Sequence, residues 1–274
     1  MAEKKFDYLM ESNDEITRLD LKTDTMVVKQ QARWAGIKQG MRVLDLGCGT
    51  GKTSAALSEL VRMGGSVTGV DFSKERIDYA TRHRESAVTT FVTKDFTQPL
   101  YDLGTFDFIW IRFVLEYFRK SAFTIVENVV QTLSDNGILC LIDLDHNSMN
   151  HHPMPERLQK SLQEVIAELE AKADFDPYMG RRLYSFLYDL GFSNIRAMVT
   201  SHHLIYGDIG DAEIYNWMKK IEVGSKKIGY PFPRYRNGFT GFAADFEAFL
   251  RDPARFSYTP LIAACGTKNG GYHL

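Results

Sequence analysis

Residues 43–53 read VLDLGCGTGKT, and this stretch decides the fold. A short apolar run leads into glycines at positions 47, 49 and 51, and an amphipathic helical pattern follows from Lys52. A buried strand that turns through glycines into a helix begins a βαβ unit, and such a turn binds a ligand next to the helix N-terminus. The residues around the glycines indicate which kind of ligand.

Two phosphate-binding motifs fail on spacing. A P-loop needs a glycine five positions before Gly51, where Leu46 stands, and a dinucleotide loop counted from Gly47 needs a glycine where Lys52 stands. Asp45, just before the first glycine, would also repel a pyrophosphate. A carboxylate there instead favours a ligand with a positively charged amino group, with which it can pair.

Strand and helix patterns alternate along residues 41–145. Apolar strand patterns lie at 42–47, 66–71, 89–95, 106–111 and 138–145, and helical patterns lie at 52–63, 73–86 and 121–133. This alternation predicts βαβ units around a buried parallel sheet, with the ligand site beyond the carboxyl ends of the strands. The residues directly after each strand are therefore the candidate ligand contacts.

The sequence around this alternation has a different pattern. Residues 1–40 are predicted to form a helical N-terminal cap, and residues 146–207 a helical segment that ends in a further strand. Residues 208–256 are helical and rich in aromatic residues, and 257–268 form a last apolar strand. A segment of this length between two strands predicts a cover over the site.

Five segments, in order, resemble motifs of class I S-adenosylmethionine-dependent methyltransferases. The first is VLDLGCGTG; it is followed by GVDFS at 69–73, KDF at 94–96, and the fourth- and fifth-strand segments at 106–118 and 133–145. The resemblance is strong over 41–145 and weak in the helical segments. It implies a Rossmann-like, doubly wound α/β sheet of seven mostly parallel strands with an antiparallel last strand, and a helical insert between the last two strands.

The resemblance also implies S-adenosyl-L-methionine as the cofactor, S-adenosyl-L-homocysteine as the product, and a set of contacts. Asp71 would bind the ribose hydroxyls, Asp95 the adenine amino group with Phe96 against the ring, and the backbone after the fourth strand the amino group. Tyr8 and Arg18, in a segment similar to the N-terminus of a bacterial subgroup, would contact the methionine carboxylate. The full set is Tyr8, Arg18, Asp45, Gly47, Cys48, Gly49, Gly51, Asp71, Phe72, Asp95, Phe96, Ile111 and Arg112.

Structural interpretations of several of these residues stay open. The alternative for Asp45 is a helix-dipole or turn residue, for Asp71 a cap of the next helix, and for Asp95 a surface-loop carboxylate. Arg112 is four residues before Glu116, at the spacing of a helical ion pair. Further alternatives are a helical pair between Glu15 and Arg18, and Cys48 as a small spacer in the loop rather than a nucleophile.

A catalytic base is needed only if the acceptor is a hydroxyl or a thiol. His146 and Asp145, directly after the fifth strand, are the candidates, because an imidazole titrates near neutral pH. The alternative is a polar turn without chemistry. A metal site at Asp143, Asp145 and Asn147 is disfavoured because Ser148 stands where a calcium loop needs glycine, so no metal is predicted.

Composition narrows the acceptor class. The formal charge is −2, from 33 basic and 35 acidic residues, which argues against a nucleic-acid partner. IRFV follows the fourth strand in place of the motif of amino-methylating DNA enzymes, and none of the eight prolines precedes a cysteine. The three cysteines are widely spaced, with no secretory signal and no membrane span, which suits a cytoplasmic protein.

The aromatic residues of 203–256 favour an apolar or aromatic small-molecule acceptor, although they also suit a core of the insert itself. The sequence therefore predicts methyl transfer to an oxygen or nitrogen atom of a small molecule. The alternatives are a non-catalytic S-adenosylmethionine-binding sensor or partner subunit, and a nicotinamide-dependent Rossmann oxidoreductase. The oligomeric state is left unpredicted.

Overall fold

The computed structural model describes residues 16, 20, 23–62 and 64–270 of the chain. Tyr8 and Arg18, two of the predicted cofactor contacts, lie outside the described residues. No helix within the described part is both long and apolar enough to cross a lipid bilayer.

Eight strands and eight α-helices are present in these residues. The strands are β1 (Arg42–Leu46), β2 (Ser66–Asp71), β3 (Thr89–Thr93), β4 (Phe106–Arg112), β5 (Leu133–Leu144), β6 (Asn150–His152), β7 (Ser193–Tyr206) and β8 (Phe256–Thr267). The helices are α1 (Thr25–Ala35), α2 (Lys52–Val61), α3 (Lys74–Arg84), α4 (Ala122–Val130), α5 (Glu156–Lys172), α6 (Met179–Asp189), α7 (Asp211–Ile228) and α8 (Phe239–Arg251). Short 3₁₀ turns lie at Tyr101–Leu103 and Leu115–Tyr117.

The strands form one mixed sheet in the order β3-β2-β1-β4-β5-β8, and both β7 and the short β6 pair with β8. Strands β1 to β5 pair in parallel, whereas β8 runs antiparallel to β5, β6 and β7. The predicted Rossmann-like α/β sheet with an antiparallel last strand is confirmed, with β6 as an addition. The chain moves outward from β1 to β3 and returns through β4, so a crevice opens where β1 and β4 end.

Both faces of the sheet are buried. Along β4, Phe108 and Trp110 pack on the face covered by α1 and α2, while Ile109 and Ile111 pack on the opposite face with α4 and α6. Successive side chains of a strand point to opposite faces, so a continuous apolar run is what a sheet with two covered faces requires. This burial fixes the register of the strand ends that carry the site.

A separate apolar cluster holds helices α5, α7 and α8 together. It contains Trp217, Phe242, Phe246 and Phe249, and the ring centroids of Phe242 and Phe246 are 5.6 Å apart. Most aromatic side chains of the predicted cover therefore pack against one another as the core of the insert. The alternative in which these rings form a core of the insert therefore describes most of them, and the aromatic nature of the acceptor stays a prediction.

Candidate cofactor and acceptor site

A cleft of about 690 Å³ lies beyond the carboxyl ends of β1, β2 and β4. Seven of the predicted cofactor residues line it: Gly47, Cys48, Gly49, Asp71, Phe72, Phe96 and Arg112. Sequence analysis missed several other lining residues, of which the most informative are Arg76, Phe113, Val114 and Tyr117. These come from the first turn of α3 and from the turn after β4, where no simple motif marks them.

The glycine loop is shaped by backbone that other residues rarely adopt. Gly47, Gly49 and Gly51 have φ angles of 74°, 55° and 78°, in the left-handed region that favours glycine. A Cβ on Gly47 would lie 2.3 Å from Cγ2 of Val114. Gly47 therefore has no room for a side chain, and the backbone of the loop itself lines the cleft.

Asp71, at the end of β2, holds the loop and faces the cleft. One carboxylate oxygen accepts a bond of 3.0 Å from the backbone N–H of Gly49, and the other accepts from Ser73 and from Arg76. Ser73 caps α3, whereas Asp71 also bonds the glycine loop and the side chain of Arg76. Asp71 is therefore more than a helix cap. A buried carboxylate in this place is suited to two hydroxyls of a ribose.

Asp45 lies beneath the loop rather than on the wall of the cleft. Its carboxylate is 2% exposed and accepts a bond of 2.6 Å from the hydroxyl of Ser54. Burial raises the pKa of Asp45 to about 7, against the opposing effects of Ser54 and of the positive charge of Arg112. A cationic group in the cleft would favour the ionised form of this carboxyl.

Arg112 lines the cleft at the end of β4. Its Nε donates to Oε1 of Gln31 at 3.2 Å, and its guanidinium lies 4.1 Å from the ring centroid of Phe113. Burial lowers the pKa of Arg112 to about 10, while the charge of Asp45 opposes the change. An arginine remains cationic at that pKa, so this side chain supplies positive charge next to the glycine loop.

The remaining predicted contacts differ in position. Phe96 is buried between the rings of Phe72 and Phe118, with centroids 5.6 and 5.5 Å away, and forms an apolar wall. Asp95 is exposed, and its Oδ1 accepts from the backbone and hydroxyl of Thr97. Ile111 is buried in the sheet, and Gly51 begins α2; neither lines the cleft.

S-adenosylmethionine fits this set of groups. The molecule needs close backbone approach, an acceptor for its ribose hydroxyls, negative charge near its amino group and an apolar wall for its adenine. The left-handed glycine loop, Asp71 and Phe96 line the cleft, and Asp45 lies beneath its loop. The fit rests on the chemistry of these groups.

The two predicted catalytic residues lie away from this cleft. Asp145 forms a bidentate ion pair with Arg181, with N–O distances of 2.7 and 2.9 Å. The His146 ring packs edge-on against Tyr178, with centroids 5.2 Å apart. The structure does not bring either side chain to the described lining of the cleft, so their role stays a prediction.

A buried polar network lies nearby that sequence analysis did not find. Asp143 accepts from the backbone N–H groups of Glu116 and Leu144, and burial together with the neighbouring Glu116 raises the pKa of Asp143 well above its usual range. Glu116 in turn accepts a bond of 2.7 Å from the amide of Asn147, whose oxygen accepts 2.6 Å from Lys220. The network joins β5 to helix α7.

A second cavity of about 420 Å³ lies between α5, α7 and the turn after β4. Its lining is mostly apolar, with Asn147, Ser148 and Lys220 as polar groups. Tyr117 lines both this cavity and the cofactor cleft. Within the described residues, no three His, Cys, Asp or Glu side chains form a group that could hold a metal ion.

The sheet and the cleft define a protein of the class I methyltransferase type. The family model described as "Methyltransferase domain" matches residues 37–219, and the chain belongs to this family. S-adenosylmethionine is therefore the cofactor.

Two curated relatives and one solved structure illustrate the similarity. The chain is 35% identical to a Staphylococcus aureus demethylmenaquinone methyltransferase over 29% of its own length and 34% of that enzyme. It is 28% identical to the Rattus norvegicus arsenite methyltransferase over 72% of its own length and 43% of that enzyme. The chain thus spans less than half of either relative.

The structural neighbour is a phosphoethanolamine N-methyltransferase 2 of Haemonchus contortus, in complex with phosphomonomethylethanolamine and S-adenosylhomocysteine. The TM-score is 0.53 at 16% identity, and the match covers 89% of this chain and 52% of that one. At this identity the match shows a shared fold, and the acceptor has to be argued from the residues of this chain.

Proposed function

We propose that this protein transfers a methyl group from S-adenosylmethionine to an oxygen or nitrogen atom of a small, largely apolar acceptor held in the second cavity. The observation that carries the proposal is the position of Tyr117, which lines both cavities. Methyl transfer needs the acceptor atom about 3 Å from the methyl group and in line with the bond that breaks. Two cavities that share a wall can supply this alignment.

Methyl transfer from this cofactor requires little of the protein beyond alignment of the acceptor. When bound, the cofactor supplies a methyl group on a sulfonium, which is already a good leaving group. The protein's task is then to hold the acceptor, exclude water and, for a hydroxyl acceptor, remove a proton. We keep His146 as the proposed base for that case, since it directly precedes Asn147 of the acceptor cavity, whereas Asp145 is engaged by Arg181.

The lining of the second cavity supports a small molecule in preference to a polymer. Val165, Ile166, Leu169 and Phe175 line a cavity between helices, and the formal charge of −2 gives no basic excess for binding nucleic acid. A cytoplasmic location agrees with the three cysteines, which are unpaired and buried.

The test is transfer of label from S-adenosylmethionine, labelled in its methyl group, to a small-molecule extract. We expect labelled product with the wild-type protein, and at least tenfold less with Tyr117→Ala, the scale of effect that misplacing a substrate can have. Tyr215→Ala serves as the matched control, because that tyrosine is 58% exposed on α7.

Binding of S-adenosylhomocysteine is measured on the same preparations by calorimetry. Cofactor binding without any transferred label across a broad extract would favour a cofactor-binding sensor or partner subunit. Preferential binding of NADH would instead favour an oxidoreductase.

A further inference from the structure

Arg112 lines the cofactor cleft without an ion pair to any residue that the structure describes. The side chain is partly buried, and its Nε donates to the neutral amide oxygen of Gln31 at 3.2 Å. Gln31 is 4% exposed on α1, so it holds the guanidinium from the side of the protein interior. Within the described residues this is the one hydrogen bond of the guanidinium. Its terminal nitrogens, Nη1 and Nη2, therefore keep their donors for a ligand.

The other cations of the cleft lining bond to protein groups. Arg76 pairs with Asp71 at 3.1 Å, and the ammonium of Lys52 donates to the backbone oxygen of Asp20. An arginine has five N–H donors and a lysine three. With one donor used, Arg112 has more donors left for a ligand than Lys52 has.

The carboxyl groups around Arg112 do not cancel its charge. Burial raises the pKa of Asp45 to about 7, and burial together with Glu116 raises the pKa of Asp143 well above its usual range. The charge of Asp24, which caps α1, has a smaller effect on Arg112. The guanidinium keeps its proton, because burial lowers its pKa only to about 10. The wall of the cleft is therefore positive at this point at neutral pH.

This positive group lies beside the glycine loop. The last residue pair between β1 and β4 before the loop is Leu46 with Ile111, so Gly47 and Arg112 follow side by side at the edge of the sheet. Asp45 lies beneath the same loop. A negative and a positive group at one edge suit a ligand whose ammonium and carboxylate are attached to one carbon atom, as in an α-amino acid.

We infer that Arg112 binds the carboxylate of the cofactor's amino acid end through Nη1 and Nη2, and so makes the cleft selective for a cofactor that carries this carboxylate. The fork of a guanidinium matches the two oxygens of a carboxylate. The sequence predicted Tyr8 and Arg18 as the contacts of this carboxylate, and only the backbone at Arg112 as a contact of the amino group. The inference gives the side chain of Arg112 a separate role in choosing the cofactor.

The experiment compares two ligands that differ by the carboxylate alone. S-adenosyl-3-thiopropylamine has the adenosine, thioether and amino group of S-adenosylhomocysteine but no carboxylate. Calorimetric titration without any acceptor measures both affinities. We expect the wild-type protein to bind S-adenosylhomocysteine about 30-fold more tightly, within the range for hydrogen bonds between charged groups.

Four variants assign this ratio to a residue. Arg112→Met should bring it to about one by weakening S-adenosylhomocysteine alone, while Arg112→Lys should keep part of it, since the charge remains without the fork. Lys52→Met should keep most of the ratio, because its ammonium is engaged by Asp20. Arg42→Met is the matched control, since Arg42 pairs with Asp107 at the start of β1, at the end of the strand away from the cleft. Its ratio should equal that of the wild-type protein.

The decarboxylated ligand also reports on damage to the cleft. If Arg112→Met weakens both ligands by the same factor, Arg112 only supports the shape of the site and the inference is wrong. It is equally wrong if the ratio survives in Arg112→Met, and its loss in Arg18→Met would then assign the carboxylate to the contact predicted from the sequence. None of these results decides the proposed acceptor, because the titrations contain none and methyl transfer is tested by the label.

Discussion

The cofactor cleft and the acceptor cavity are built in different ways. The cleft is formed by strand ends and loop backbone, and its main contacts lie on β1, β2, β4 and the turns that follow them. The cavity is formed by side chains of α5 and α7, which the aromatic cluster around Phe242 holds together. Cofactor binding should therefore depend on a few backbone-positioning residues, and acceptor binding on the packing of the cover.

The largest effect is expected from damage to the cover's own core. Phe242 is fully buried, and its ring centroid lies 4.5 Å from that of Phe232 and 5.6 Å from that of Phe246. Phe242→Ala should lower the free energy of unfolding by about 3–5 kcal/mol, because it removes transfer energy and leaves a cavity. Denaturant unfolding measures this loss.

The same variant tests whether the two regions are separate. In the folded protein, its affinity for S-adenosylhomocysteine should stay within about twofold of the wild-type value, since no contact of Phe242 reaches the glycine loop. Tyr215→Ala, an exposed aromatic in the same cover, should change stability by no more than about 0.5 kcal/mol. A large loss of cofactor affinity in folded Phe242→Ala would show that the cover and the cleft act as one unit.

The next largest effect concerns the cofactor cleft. Asp71→Ala removes the acceptor of the Gly49 N–H and leaves the 4%-exposed Arg76 without this partner. Affinity for S-adenosylhomocysteine should fall about 100-fold, the scale of losing more than one charge-assisted hydrogen bond. Calorimetric titration measures the change.

Asp95→Ala is the matched comparison for Asp71→Ala. The Asp95 carboxylate is exposed and accepts hydrogen bonds from the backbone and hydroxyl of Thr97 in its own turn, so a loss below about threefold is expected if it only stabilises that turn. A loss equal to that of Asp71→Ala would instead support the predicted contact with the adenine amino group.

The fold was largely predictable because short stretches of sequence mark most of its strands and helices. Apolar runs of five to seven residues, glycines at fixed offsets and helix caps such as Ser73 each follow from short stretches of sequence. The prediction was incomplete where pairing with a distant strand decides the structure. Strand β6 has three residues, too few to show a period, and β5 begins at Leu133, five residues before the strand predicted at 138–145.

The site was predictable only in its cofactor half. Asp71 and Phe96 follow strands of a parallel sheet, so their position beyond the strand ends could be inferred. Lys220 and Asn147 are 73 residues apart, and no local pattern indicates that α7 returns to the end of β5. His146 and Asp145 were predicted as catalytic residues because of their residue types and their position directly after a strand. Such reasoning could not reveal the ion pair between Asp145 and Arg181.

The smallest expected effect concerns the charge beneath the glycine loop. Burial raises the pKa of Asp45 to about 7, so the unfolded chain ionises this carboxyl at a lower pH than the folded protein does. Its contribution therefore makes the protein less stable as pH rises from about 4 to about 7. Asp45→Asn should remove that dependence and raise the melting temperature above neutral pH, which a thermal-shift series measures.

Cofactor binding should show the opposite trend with pH. A cationic amino group near Asp45 favours the ionised carboxyl, so binding releases a proton, and affinity for S-adenosylhomocysteine should rise about fourfold between about pH 6 and pH 7.5. Asp45→Asn should abolish this slope. Asp107→Asn should preserve it, because Arg42 lowers the pKa of Asp107 to about 2 and that carboxylate stays ionised throughout. A slope that survives in Asp45→Asn would place the amino group away from Asp45 and remove the reason for a carboxylate at that position of the loop.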